Sequence, residues 1–203
     1  MKKLKICIIT VILLIISGCS QKTQQNILRP MELNEQGKLV SQLLNNTNAY
    51  SLFLSYDLKE DCKSVKVELW EWIDHQYESV YSHYGEVKKG DGNILVNFSV
   101  DPVSMKAVIE NESGSSETSA FSDEPVKNKE DEKTARGMVS LSGDTNFQID
   151  EEIPVMVVQT QKITEGSSSM GVSLEAYKEP EKFIAKGMEH LYVITVTFQK
   201  EAS

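Results

Sequence analysis

Ser64-Val65-Lys66-Val67-Glu68-Leu69-Trp70-Glu71-Trp72-Ile73 is the stretch that decides the fold. Side chains of an extended strand alternate between two faces. Val65, Val67, Leu69 and Ile73 therefore point one way, and Lys66, Glu68, Trp70 and Trp72 the other. Glu71 breaks the aliphatic row and marks where that face leaves the core. Asp74-His75-Gln76 supplies a turn into a second run, Tyr77–Val87. A hairpin closed there pairs Trp72 with Tyr77 and sets Tyr81 opposite Glu68. Working outward, the same grammar recurs. Tyr50–Leu58 precedes the hairpin. Lys88-Lys89-Gly90-Asp91-Gly92-Asn93 is the strongest turn signal in the chain, and Ile94–Val100 and Ser104–Glu110 follow, split by Asp101-Pro102. Further on come Gly137–Ser142, Phe147–Asp150, the apolar run Ile153–Ile163, a turn at Gly166–Ser169, and Leu191–Phe198. Ile153–Ile163 is apolar on both faces at its start and belongs inside the fold. Leu191–Phe198 alternates Tyr192, Ile194, Val196 and Phe198 against Thr195 and Thr197, as a centrally paired strand does.

Strands spaced this closely, with no long helix between them, pair antiparallel. Eight to ten of them predict a mainly β protein, one antiparallel β-sandwich of broadly immunoglobulin-like shape. One short helix is expected near the N-terminus. Leu33, Val40 and Leu44 follow helical spacing, Leu39 and Leu43 widen the stripe, and Glu32 and Glu35 sit early where the helix dipole favours them. Such a helix, over Glu32–Leu44, would pack on the body and is the obvious cover for Trp70 and Trp72. Between residues 111 and 136 the pattern lapses into a mobile loop, with nine charges and Pro125 from Ser122 to Arg136. A division into two domains there would strand a C-terminal piece too small to close its own core.

Composition narrows the function. Of 203 residues 40% are hydrophobic and 25% charged, with a formal charge of -9. Lys2, Lys3 and Lys5 lie in a removable leader, so the remainder carries about -12, the whole-chain value less three positive charges. Nucleic acid is a poor partner for that balance. Arg29 and Arg136 are the only arginines among 21 basic residues, a lysine bias common in AT-rich bacterial genomes.

The first nineteen residues are an address. Lys2, Lys3 and Lys5 precede an apolar core, Ile6–Ile16, too short to span the ~30 Å of hydrocarbon in a bilayer. Ile16-Ser17-Gly18-Cys19 follows, and these four residues resemble the bacterial lipobox. The resemblance implies a signal peptide over residues 1–18, cleavage between Gly18 and Cys19, and a diacylglycerol on the Cys19 thiol. It also implies an acylated chain anchored in the lipid membrane, extracytoplasmic and on the outer face in a Gram-positive host. Two acyl chains anchor stably where one does not. Ser20 carries no acidic retention signal. The plan of lipobox, tether over residues 19–29, brief helix and strands is similar to small lipoproteins of low-GC Gram-positive bacteria. Residues 30–203 are then the folded domain. Cys7 leaves with the leader and Cys19 takes lipid, so Cys62 has no partner for an intrachain disulfide.

Signs of catalysis are weak. His75, His83 and His190 occur without a Gly-x-Ser-x-Gly elbow or a Cys–His arrangement. His75 and His83 read as solvated turn residues, and ligand spacing for zinc or calcium is missing. The expectation is a protein without enzymatic activity, cofactor or metal. One feature invites a binding role: Trp70 and Trp72, with Tyr77, Tyr81 and Tyr84 on the neighbouring strand, sit beside carboxylates. Such a surface can stack a sugar ring or anchor an envelope protein. Three roles compete: a binding module of the envelope, an accessory of a transporter or signalling system, and an enzyme.

Overall fold

The computed structural model describes residues 25–45, 49–112, 114–121, 134–163, 171–184 and 188–201. Alternation of apolar and polar residues dictates one-sided burial, clearest over Ala49–Leu58, Gly90–Val100 and Val103–Asn111, and the described residues form eleven strands. They are β1 (Asn26–Pro30), β2 (Ala49–Leu58), β3 (Ser64–Ile73), β4 (Gln76–Glu86), β5 (Gly90–Val100) and β6 (Val103–Asn111), then β7 (Gly114–Phe121), β8 (Thr134–Ser140), β9 (Thr145–Phe147), β10 (Glu152–Lys162) and β11 (Met188–Gln199). One sheet runs β7-β6-β5-β2-β1-β9 and the other β4-β3-β11-β10-β8, every pairing antiparallel. The predicted mainly β sandwich is what forms. It has more strands than the seven to nine of an immunoglobulin domain, and a different order.

The inner faces meet in one core. Val65, Val67 and Leu69 lie in it with Leu54, Tyr56, Phe98, Ile94, Val196 and Phe198, as their spacing requires. Phe198 stacks on Phe147 at 4.8 Å and meets the edge of Tyr56 at 5.1 Å. β11 lies centrally between β3 and β10, and β10 is buried on both faces through most of its length. β11 pairs with β3 and β9 with β1, so residues on both sides of 122–133 build both sheets.

Four expectations about the fold need correction. The tether does not extend to residue 29, because Asn26 to Pro30 already pair with β2 and β9. The loop predicted over 111–136 is narrower. Gly114–Phe121 is an edge strand and Thr134–Ser140 another, while 122–133 lies outside the described residues. Ser115-Ser116-Glu117-Thr118-Ser119 has no apolar alternation to reveal a strand, yet β6 gives it a ladder of backbone partners. The predicted turn at Gly166–Ser169 also lies outside the described residues.

The helix is the third correction. It is α1 (Glu35–Leu44), capped by Asn34, whose side chain accepts the Gly37 N–H at 2.8 Å. None of its residues is buried, and it touches the start of β2 rather than Trp70 and Trp72. It follows β1 directly, which places it on the opposite sheet from the tryptophans. Tyr81 is the fourth. A bulge between Leu69 and Trp70 pairs Tyr81 with Leu69 and Ser82 with Glu68. Tyr81 thus turns inward against the core, its hydroxyl near the Val103 carbonyl at 3.5 Å. Counting back from the turn without the extra residue, Val80, gives the wrong face.

Candidate functional site

The β3–β4 hairpin closes as the sequence implies. Asp74 and His75 both adopt positive φ, 48° and 67°, the geometry that matches the twist of two-residue hairpins. Trp72 therefore faces Tyr77, ring to ring at 4.8 Å and 64°. Trp70, Trp72 and Tyr77 share the outer face of their sheet, each half-buried. Their cover is a segment that periodicity does not reveal, residues 171–184, folded into 3-10 turns at Leu174–Tyr177 and Pro180–Lys182. With Val157, Leu191 and Val193 it makes a second, smaller core outside the sandwich. Its signals in the sequence are modest: Ser173 capping the Glu175 N–H at 3.2 Å, apolar Leu174 and Tyr177, and Pro180 at the head of the second turn.

Hydrogen bonds fasten that cover to the tryptophan face. Trp70 Nε1 donates to Glu152 Oε1 at 3.0 Å and to Thr195 Oγ1 at 3.1 Å. Thr195 in turn donates to Glu152 Oε1 at 2.9 Å, and the Tyr177 hydroxyl donates to Glu152 Oε2. The Tyr77 hydroxyl donates to the Ala176 carbonyl at 2.7 Å. Burial, and for Tyr177 the adjoining Glu152 carboxylate, push both phenols well above the ordinary tyrosine range. These hydroxyls are fixed donors rather than acids. Glu152 was not legible as a site residue from sequence, since nothing in its neighbourhood separates it from the other acidic residues.

Beside this network lies a buried carboxylate. Glu68 Oε1 accepts from Ser79 at 2.7 Å and Ser82 at 2.9 Å, and Glu68 Oε2 meets the Lys66 ammonium. The bulge that turned Tyr81 inward brings both serines to one carboxylate. Burial raises the Glu68 pKa, but the hydrogen bonds from Lys66, Ser79 and Ser82 and the Lys66 charge outweigh it, and the net shift is downward. Lys66 also stands 5.8 Å from the centre of the Trp70 ring. Lys66, Glu68 and Trp70 are thus committed to one another, while Trp72 and Tyr77 form the rim and Tyr84 stays exposed further along β4.

The other singled-out residues fall elsewhere. Glu71, the break in the aliphatic row, meets His190 Nδ1 at 2.7 Å, and the His190 ring stacks on Tyr192 at 5.5 Å. His75 is exposed and lies 3.5 Å from Glu181. His83 is not a solvated turn residue: it points inward from β4 and is buried, with Ser116 at 3.5 Å. Burial lowers its pKa. Cys62 is a buried free thiol that donates to the Ser64 and Gln199 carbonyls at 3.2 and 3.1 Å. Burial raises its pKa, which suits a passive residue. Among the described residues no cluster of three His, Cys, Asp or Glu side chains could hold a metal ion, and no helix is long and apolar enough to cross a membrane. Gly18 and Cys19 lie outside the described residues. No family model, no curated protein and no solved structure matches the chain.

Proposed function

We propose that this chain is an extracytoplasmic lipoprotein, held at the membrane through acylated Cys19, whose sandwich serves as a binding or interaction module of the cell envelope. The observation that carries the anchor is the leader itself: three lysines, eleven apolar-rich residues from Ile6 to Ile16, then Ser17-Gly18-Cys19. The position of the folded part supports it. β1 begins at Asn26, seven residues after Cys19, so a short polar link joins anchor to sheet. A Cys19→Ala variant is expected to lose all incorporation of labelled fatty acid and to persist as the longer precursor. Label retained on that variant would defeat the anchor.

The binding reading rests on the rim of the tryptophan face. Trp70 is committed to Glu152 and Thr195 and the Tyr77 hydroxyl to the Ala176 carbonyl, which leaves the Trp72 ring, with the Tyr77 ring against it, as the aromatic edge close to the exposed pair His75 and Glu181. A planar ring beside charged groups suits a sugar or a peptide of the envelope. Tryptophan fluorescence of the chain, titrated with cell-wall glycan fragments and then with extracted envelope proteins, tests this. A saturable change lost in Trp72→Ala supports it. Unaltered emission in both titrations removes it.

A further inference from the structure

α1 is built inside out. At 100° per residue, Leu39, Val40, Leu43 and Leu44 cover an arc of roughly 140°, and all four face solvent, 61%, 50%, 82% and 42% exposed. The better-covered residues are Gly37 and Ser41. Asn45 ties this small-residue side down, donating to Ser41 Oγ at 3.3 Å and accepting the Ser51 N–H at 2.6 Å. Glu35 and Lys38 pair at 2.9 Å, which leaves the polar flank of the helix neutral. An amphipathic helix normally buries its apolar stripe. Here the stripe is offered outward.

We propose that this face lies in the interfacial layer of the bilayer that holds Cys19, an inference that rests on the lipid anchor argued above. Residues 19–25 reach up to ~24 Å when extended, and β1 rises only ~13 Å over its four residue steps before Met31–Asn34 lead into α1. The anchored chain can therefore bring α1 level with the lipid. Once two acyl chains hold the protein there, four aliphatic side chains need only orient it. The contact must be apolar, because the chain is acidic and the helix neutral, so added salt should leave it unchanged. A second copy of the chain is the weaker occupant. Four side chains on a ten-residue helix fall well short of the roughly 800 Å² that each partner of a stable dimer buries.

The test uses the chain from Cys19 onward, which carries every described strand, coupled through the Cys19 thiol to maleimide phospholipid in phosphatidylcholine vesicles with a minority of phosphatidylglycerol. Cys62 is buried and should stay unmodified, which intact mass checks. Amide hydrogen exchange is then compared between coupled and free chain. Peptides covering 35–44 should exchange roughly fivefold more slowly or better on vesicles, at low and high salt alike, while peptides covering 88–93 stay unchanged. Leu39→Ser/Leu43→Ser should abolish the protection and leave β11 protected, since neither side chain is buried in the fold. Equal rates for 35–44 in both states overturn the proposal. So does protection in the free chain that grows with its concentration, which would assign the face to a second copy. Because the coupling is synthetic, a native Cys19 found without lipid would defeat the anchor and leave the helix result standing on its own.

Discussion

Trp70 shows how one side chain can look like a ligand platform in sequence and act as a fastener in the fold. Its indole N–H is shared between Glu152 and Thr195. Trp70→Phe keeps most of the ring and removes that donor, so it is expected to cost about 1–2 kcal/mol, read as a lower denaturation midpoint with unchanged slope. Trp72→Ala should cost about 2 kcal/mol, between the small loss of an exposed ring and the larger loss of a fully buried one. Gly92, by contrast, acts through its lack of a side chain alone. A Cβ built there lies 2.1 Å from the Tyr56 hydroxyl and 2.6 Å from the Glu110 carbonyl, the latter backbone that cannot swing away. Gly92→Ala should destabilise by about 3 kcal/mol. His83 sets a pH dependence. Its folded pKa is lowered from 6.5 by burial, so the unfolded chain takes up the proton first as pH falls. Its contribution is intact above pH 6.5 and declines below it. His83→Gln should flatten the fall in stability from pH 6.5 downward relative to the parent chain, measured by urea melts at stepped pH. A parallel pair of curves would show that His83 is not the titrating group.

At the scale of elements, the sequence is readable wherever apolar residues mark a face that must be buried. β3 and the Asp74-His75 turn follow from alternation and turn residues, while β10 and β11, buried on both faces, follow from their long apolar runs. The misreadings share a cause. A bulge turns Tyr81 to the core face, and a bulge leaves no mark in residue type. β7 stayed hidden because an edge strand takes its backbone partners from one neighbour and needs no apolar row. Segment 171–184 is irregular, and its 3-10 turns are too short for a period to show. The apolar stripe of α1 is visible in the sequence, but nothing there shows that Gly37 and Ser41, rather than the stripe, face the protein. Of the candidate site, Trp70, Trp72 and Tyr77 were legible as neighbours. Glu152, Thr195 and Tyr177 were not, since their meeting depends on β10, β11 and a later turn being brought onto one face. Tyr77 ties the 171–184 cover to the sheet. Tyr77→Phe loses the bond to the Ala176 carbonyl, and exchange of the amides in 171–184 should accelerate while that of β6 holds. Equal acceleration in both would mean that the whole sandwich, rather than its cover, had loosened.

Over the whole molecule the two halves of the chain are interleaved. β11 runs beside β3, and β9 beside β1. A single cut between Ser122 and Lys133, a stretch rich in lysine and poor in apolar residues, should therefore leave two fragments that elute together on gel filtration and separate only in denaturant. The arrangement also gives the N-terminus a structural duty, because β1 is held on both sides and any pull on the tether is borne by a sheet. That suits a chain anchored a few residues upstream, and the proposals for Trp72, Tyr77 and α1 all presume a protein standing at a membrane. The most direct test is the mass of the N-terminal peptide from the native, membrane-extracted protein. The expected peptide starts at Cys19 and carries a thioether-linked diacylglycerol. A peptide starting at Met1, or one starting near residue 19 with an unmodified thiol, would contradict it.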